Sequence, residues 1–256
     1  MSVIYEVSGR RATLTIDDAE RHNPMSVETM GALLENTREA VADPDVGVIV
    51  YTGSGDRSFS AGGDLSGSFA DDPVGLHRAR GDLADLFRLM LRGGKPTVAR
   101  VNGHALAGGF GLAVACDVSV CVDDAKLGTT EIKVGLWPMM ISALLVRMMP
   151  QKTVMELMLT GRVIDPFEAQ RLGAVSRVVS RTDLDAAVDE VVAGLLSASP
   201  ATIMLGKDSF HGMWGLDLDT ALDRLQGGLT EIVMTEDATE GMTAFIEKRD
   251  PGWSGR

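Results

Sequence analysis

The chain is poor in the residues that mark several large function classes. Its 256 residues include two cysteines, Cys116 and Cys121, and four histidines. Neither type is spaced as a metal or redox motif requires, so no metal is expected. Both cysteines lie in the apolar run 112–122. Read as one strand, positions five apart face opposite sides and cannot pair, which leaves two reduced core thiols. Positive charge is also scarce: 24 Lys and Arg against 36 Asp and Glu give a net charge of −12. Nucleic-acid binding needs a basic patch, and no Lys/Arg run exists, so that class is excluded. Long hydrophobic runs are missing too. The longest uncharged one, residues 134–146, contains Pro138 and is too short to cross a bilayer. The opening Met1-Ser2-Val3-Ile4-Tyr5-Glu6 has no basic stretch followed by an apolar one. No secretory signal is expected, and a cytoplasmic location is.

What remains is an α/β pattern. Residues 3–7 and 12–16 read as strands joined at Gly9, and Ser26 opens a helix with Met30, Leu33, Leu34, Thr37 and Val41 on one face. The run 46–51 reads as a strand buried on both faces. A helix over 82–92 leads to a strand over 97–101, and 117–122 supplies another. Asp165-Pro166-Phe167-Glu168 carries a capping acid, proline at the first helical position and glutamate at the third. That helix ends at Gly173, a strand follows over 174–179, and from Asp183 onward the pattern is helical, broken near Pro200 and Gly212–Gly215. This divides the chain into an α/β part, residues 1–195, and a smaller helical part, residues 196–256.

Two glycine-rich turns each follow an apolar strand: Ser60-Ala61-Gly62-Gly63-Asp64 and Ala107-Gly108-Gly109-Phe110-Gly111. Glycine leaves backbone N–H groups uncovered and lets a ligand approach. One N–H from each turn converging on a single oxygen would form an oxyanion hole. The second turn opens a helix over 109–116, whose positive end would add to the effect. Glu131, between Gly128-Thr129-Thr130 and the apolar 134–146 segment, is the candidate acid/base, because apolar walls raise a carboxyl pKa toward neutrality. The same spacing also fits a surface glutamate at a helix start. Asp64 could face a ligand or cap a turn, and Asp117 anchors a strand start. His104, near the second turn, lacks a Ser or Cys partner in a nucleophile motif. Gly53-Ser54-Gly55 lacks the third glycine of a dinucleotide fingerprint, and no glycine run carries a P-loop lysine.

The flanking text is more specific than the glycines. Phe59-Ser60-Ala61-Gly62-Gly63-Asp64-Leu65 and Asn102-Gly103-His104-Ala105-Leu106-Ala107-Gly108-Gly109 resemble the two signature stretches of the enoyl-CoA hydratase/isomerase (crotonase) family. Ala115-Cys116-Asp117, Glu131-Ile132-Lys133-Val134-Gly135-Leu136, Leu159-Thr160-Gly161-Arg162 and Phe245-Ile246-Glu247-Lys248-Arg249 continue the match in family order. The resemblance implies a crotonase-like spiral of ββα units with a C-terminal helical trimerisation region, and a trimer or a hexamer of two trimers. It implies an acyl-CoA substrate, with coenzyme A arriving as part of that substrate and no separate cofactor. Gly63 and Gly108 would hold the thioester oxygen, and Glu131 would move the proton. Arg21, Asn23 and the Ala61 backbone would contact CoA, as would Phe245 and Lys248 of a neighbouring copy. Residues 66–87 and 136–143 would line the acyl pocket. One departure stands out. Family hydratases carry a second glutamate where this chain has Gly111, and a glycine cannot transfer a proton. A family aspartate used in other reactions falls at Pro138. A single glutamate suits moving a proton from C2 to C4, the isomerase chemistry.

Overall fold

The computed structural model describes residues 2–64 and 73–256, apart from the side chains of Pro73, Leu76 and Ala79. A six-stranded sheet runs in the order β1 (Val3–Ser8), β2 (Arg11–Ile16), β4 (Val48–Gly53), β7 (Thr97–Val101), β9 (Val118–Val122), β11 (Arg177–Val179). β1 and β2 form an antiparallel hairpin, and every later pairing is parallel. β4 is buried at all positions, as its unbroken apolar run predicts for a strand covered on both faces.

The chain repeats one unit. A long strand of the main sheet is followed by a short strand of a second, three-stranded sheet, and then by a helix. β4 leads to β5 (Ser58–Ser60) and α2 (Pro73–Arg92); β7 leads to β8 (His104–Leu106) and α3 (Gly108–Ala115); β9 leads to β10 (Leu127–Gly128) and α4 (Met139–Met148). β5, β8 and β10 pair with one another in the order β10-β8-β5. This is the ββα spiral that the resemblance implies. A two-stranded ladder completes the layer, β3 (Pro24–Met25) against β6 (Gly62–Gly63), with Met25 opposite Gly63. The glycine turns therefore sit on the small sheets, above the carboxyl ends of the main strands.

α1 (Val27–Ala42) starts where Ser26 accepts a hydrogen bond from the Thr29 N–H, and it buries Met30, Leu33, Leu34 and Thr37 against the core. α2 is longer than the 82–92 read from sequence. Its first turns carry Gly75, Gly81 and a polar His77-Arg78-Ala79-Arg80 stretch, which dilute the apolar period without breaking the helix. The two cysteines do not share a strand: Cys116 caps α3 and Cys121 lies on β9, and both are buried and free. Asp117, just before β9, accepts from the Thr97 N–H and Oγ and pairs with Lys207, so it anchors the strand start. The strand expected over 174–179 is confined to β11.

α5 (Gln151–Thr160) and α6 (Pro166–Arg171) follow α4, and α6 has the Asp165 cap read from sequence. α7 (Leu184–Leu196) packs on β7 and β9. α8 (Pro200–Gly212), α9 (Leu218–Val233) and α10 (Glu236–Glu247) follow. They expose Leu218, Leu229, Met234, Phe245 and Ile246. The last residues fold back on them. Asp237, 1% exposed, accepts from Ser199 Oγ at 2.7 Å and from the N–H groups of Ser254 and Gly255 at 2.7 and 3.0 Å. Among the described residues, no single helix is long and apolar enough to cross a membrane.

Candidate active site

The two glycine turns touch, and their glycines divide into two kinds. A Cβ on Gly62, whose φ is +90°, would lie 2.6 Å from Ala107 Cβ and 2.8 Å from the Leu106 carbonyl oxygen. A Cβ on Gly109 would lie 2.4 Å from the Ser60 carbonyl oxygen. These two positions admit no side chain because each is pressed against the other turn. Gly63 and Gly108 are different. A Cβ at Gly63 would meet nothing within 4 Å, and one at Gly108 would meet Met25 Sδ at 3.3 Å and the Gly63 nitrogen at 3.9 Å. Both line a cavity of about 390 Å³. Gly108 opens α3, so its N–H has no acceptor within the helix. Just before it, Ala107 holds φ 49° and ψ −126°, a conformation that costs an L-residue on the order of 1–3 kcal/mol. That backbone is fixed from both sides: its N–H donates to Gly128 O at 2.8 Å and its carbonyl accepts from the Gly111 N–H at 3.1 Å.

Glu131 lines the same cavity, at the start of a short 3₁₀ turn (Glu131–Val134) that follows β10. It is half-buried, and its Oε2 is buried without a hydrogen-bond partner. Burial holds the carboxyl above its ordinary value of 4.5, against a smaller opposing pull from its own backbone N–H. An unpartnered carboxylate oxygen is costly to bury and needs a ligand or a proton to satisfy it.

Apolar side chains make much of the rest of the wall, among them Met30 of α1, Leu83 of α2, and Leu136, Trp137, Met140 and Ile141 before and along α4. Of the expected lining, residues 136–141, Arg80 and Leu83 face the cavity, whereas Ser142 and Ala143 do not; residues 65–72 lie outside the described residues. Gly111 faces the wall too. A Cβ there would fall 2.1 Å from Ile141 Cγ2, 2.9 Å from Ile141 Cβ and 3.4 Å from Phe87 Cζ. Hydrocarbon fills the space a side chain at 111 would need.

The other expected residues are distributed as follows. Asp64 lines the cavity and pairs with Arg21 at 2.7 Å. Arg21 is half-exposed at the edge of this site. Asn23 is fully buried: its Oδ1 accepts from the Asp18 N–H, and its Nδ2 donates to the carbonyls of Ser54 and Ser58. Its side chain braces the loop that carries Arg21 and has no surface left for a ligand. Ala61 donates its N–H to His22 O at 2.9 Å. Phe245, 85% exposed, and Lys248 stand at the end of α10, and neither lines the cavity. His104 sits in a separate polar cleft with Asp56, Arg57, Asp124 and Arg181, where its Nδ1 accepts from the Lys126 N–H. Burial pushes its pKa down, and it plays no part in the glycine site. One feature is invisible in sequence: the contact of Ile141 with Gly111 spans thirty positions. Arg80, which lines the cavity from α2, falls within the expected 66–87 lining, in a stretch too polar to read as helix. Among the described residues, no group of three His, Cys, Asp or Glu is placed to hold a metal ion.

The chain is similar along nearly its whole length to known proteins. Residues 8–256 match the family model described as enoyl-CoA hydratase/isomerase. A Thermus thermophilus protein provisionally named an enoyl-CoA hydratase is 36% identical over 250 residues, covering 95% of this chain and 97% of its own. A carnitinyl-CoA dehydratase of Citrobacter koseri is 34% identical over 247 residues, covering 93% of each. Among solved structures, an enoyl-CoA hydratase of Mycobacterium smegmatis superposes with a TM-score of 0.93 at 29% identity over 99% of both chains. One from Bacillus anthracis gives 0.94 at 26% identity over the full length of both.

Proposed function

The chain belongs to the enoyl-CoA hydratase/isomerase family, and from that premise we propose that it moves a double bond along an enoyl-CoA by proton transfer through a single acid/base. The observation that carries this reading is the Ile141 side chain against Gly111, which leaves no room for a second carboxyl group at that position. The thioester oxygen lies between the N–H groups of Gly63 and Gly108. Glu131, ionised, takes a proton from C2; the electron pair moves through the thioester and the oxygen becomes an enolate held by the two donors. The protonated Glu131 then returns that proton at C4, and the double bond ends between C2 and C3. Atoms balance with no water consumed. The raised pKa of Glu131 suits both halves, because a base that must also act as an acid works best near the ambient pH.

Hydration needs proton transfer and water delivery at adjacent carbons, which two free carboxyl groups perform most readily. Asp64 is the other carboxylate on the wall among the described residues, and it is engaged by Arg21. The contacts to coenzyme A follow the same reading: Arg21 and the Ala61 backbone from this chain, with Phe245 and Lys248 from a second copy. The exposed apolar residues of α9 and α10 support assembly into a trimer, or a hexamer of two trimers, in the cytoplasm. A second reading, an acyl-CoA-binding protein with little catalysis, takes its motive from Gly111, and the retained, unpartnered Glu131 opposes it. The test is to incubate the purified protein with 2-enoyl- and 3-enoyl-CoA of one chain length and follow hydration and double-bond migration separately. Migration faster than hydration is the expected result, and hydration dominating would overturn the proposal. Tight binding with turnover of neither would favour the binding protein.

A further inference from the structure

The cavity that holds Glu131 has one charge left unanswered. Of the described lining residues, three are ionisable: Asp64, Glu131 and Arg80. Asp64 is neutralised by Arg21, and Glu131 is held toward its neutral form by burial. Arg80 forms no ion pair or side-chain hydrogen bond with any described residue. It stands on α2 one turn before Leu83, so the two share a helix face. Both line the cavity; Leu83 is 5% exposed, while Arg80 is exposed to solvent. A long alkyl stem along an apolar wall with a charged head at the mouth is how arginine meets both environments at once.

We propose that Arg80 selects acyl groups whose distal end carries a carboxylate, so that the preferred substrates are CoA thioesters of dicarboxylic acids. This rests on the acyl-CoA reading above and deepens it. A planar guanidinium presents a fork that matches a carboxylate with two parallel hydrogen bonds. Most of the other side chains lining this cavity are apolar, Met25, Met30 and Leu83 among them. An acyl chain can run along it with its thioester at one end and its charge at the other. The same cation disfavours an acyl group ending in a quaternary ammonium.

Two anions could meet Arg80, the acyl carboxylate or the phosphates of coenzyme A, and binding measurements separate them without depending on turnover. Calorimetric titrations compare hexanoyl-CoA with hexanedioyl-CoA on the native protein and on Arg80→Met, a substitution at an exposed helical position that spares the core. The expected result is about tenfold tighter binding of hexanedioyl-CoA by the native protein. Arg80→Met should erase that difference and leave hexanoyl-CoA unchanged. Equal affinity of the native protein for both ligands would overturn the proposal. So would an equal loss for both ligands in Arg80→Met, which would assign the arginine to the phosphates. Binding of neither ligand would overturn the acyl-CoA reading as well, whereas hexanoyl-CoA bound without preference would overturn this inference alone.

Discussion

Placing a methyl group at position 111 tests the wall of the cavity directly. Gly111→Ala puts a Cβ 2.1 Å from Ile141 Cγ2 and 2.9 Å from Ile141 Cβ, against an ordinary contact of 3.4–4 Å. Ile141 is 3% exposed and β-branched, so it cannot swing aside as a flexible side chain would. Alanine gains about 1 kcal/mol over glycine inside a helix. Overpacking a filled core costs about 1–3 kcal/mol, and an overlap this deep belongs in the upper half of that range. The net expectation is a loss of about 1–2 kcal/mol, seen as a fall in Tm of roughly 2–8 °C at fixed protein concentration. The penalty should shrink when the Cγ2 obstacle is removed. Ile141→Ala alone costs about 2–5 kcal/mol. In that background only the 2.9 Å approach to the Cβ of residue 141 remains, and the helix gain offsets it, so Gly111→Ala becomes close to neutral. The four proteins form a double-mutant cycle with a coupling of about 1–2 kcal/mol, read from urea midpoints at constant m. Additivity within about 0.5 kcal/mol, or a native background stabilised by Gly111→Ala, would refute the claim that Ile141 occupies this space.

Three further outcomes follow from the same geometry. Glu131→Gln should fold normally and lose roughly a hundredfold or more in turnover, measured as double-bond migration; activity near the native level would remove Glu131 from the mechanism. The base must be ionised to act, so kcat/KM should fall as pH drops through a pKa above the ordinary 4.5, and this acid limb should be missing from whatever activity Glu131→Gln retains. Asp237→Ala leaves the Ser254 and Gly255 N–H groups and the Ser199 hydroxyl without their shared acceptor, at a cost of about 2–4 kcal/mol. Limited proteolysis should then cut first in the C-terminal tail, and an unchanged cleavage pattern would show that the tail is held by other contacts.

Much of this molecule was legible in its sequence, and the reasons are local. The Ser26 and Asp165 caps, the apolar face of α1 and the unbroken burial of β4 each depend on residues a few positions apart. The glycine turns stood out because the chain needs glycine where two backbones meet. What could not be read depends on distant partners. Nothing near Gly111 announces Ile141, and nothing near Asn23 shows that its amide is consumed by Ser54 and Ser58. The run 112–122 reads as one strand because its apolar residues hide the boundary between α3 and β9, which periodicity cannot resolve in so deeply buried a segment. His104 is close to the glycine site in sequence, but it stands at the start of β8, and its ring lies in another cleft.

The contact between the two turns has a consequence for how this protein can change. The separation of Gly63 from Gly108 belongs to neither loop; it is set where Gly62 meets Leu106 and Ala107, and where Gly109 meets Ser60. Any side chain at either packing glycine would push one donor away from the other without touching a substrate. The walls carry no such constraint: Ile141 stands on α4 and Leu83 and Arg80 on α2, and each can be exchanged one at a time. Variation in this lineage is thus steered away from the means of holding the enolate and toward what surrounds it. New substrates and new proton routes are open to single substitutions, while loss of the donor pair is a failure of assembly before it is a failure of chemistry.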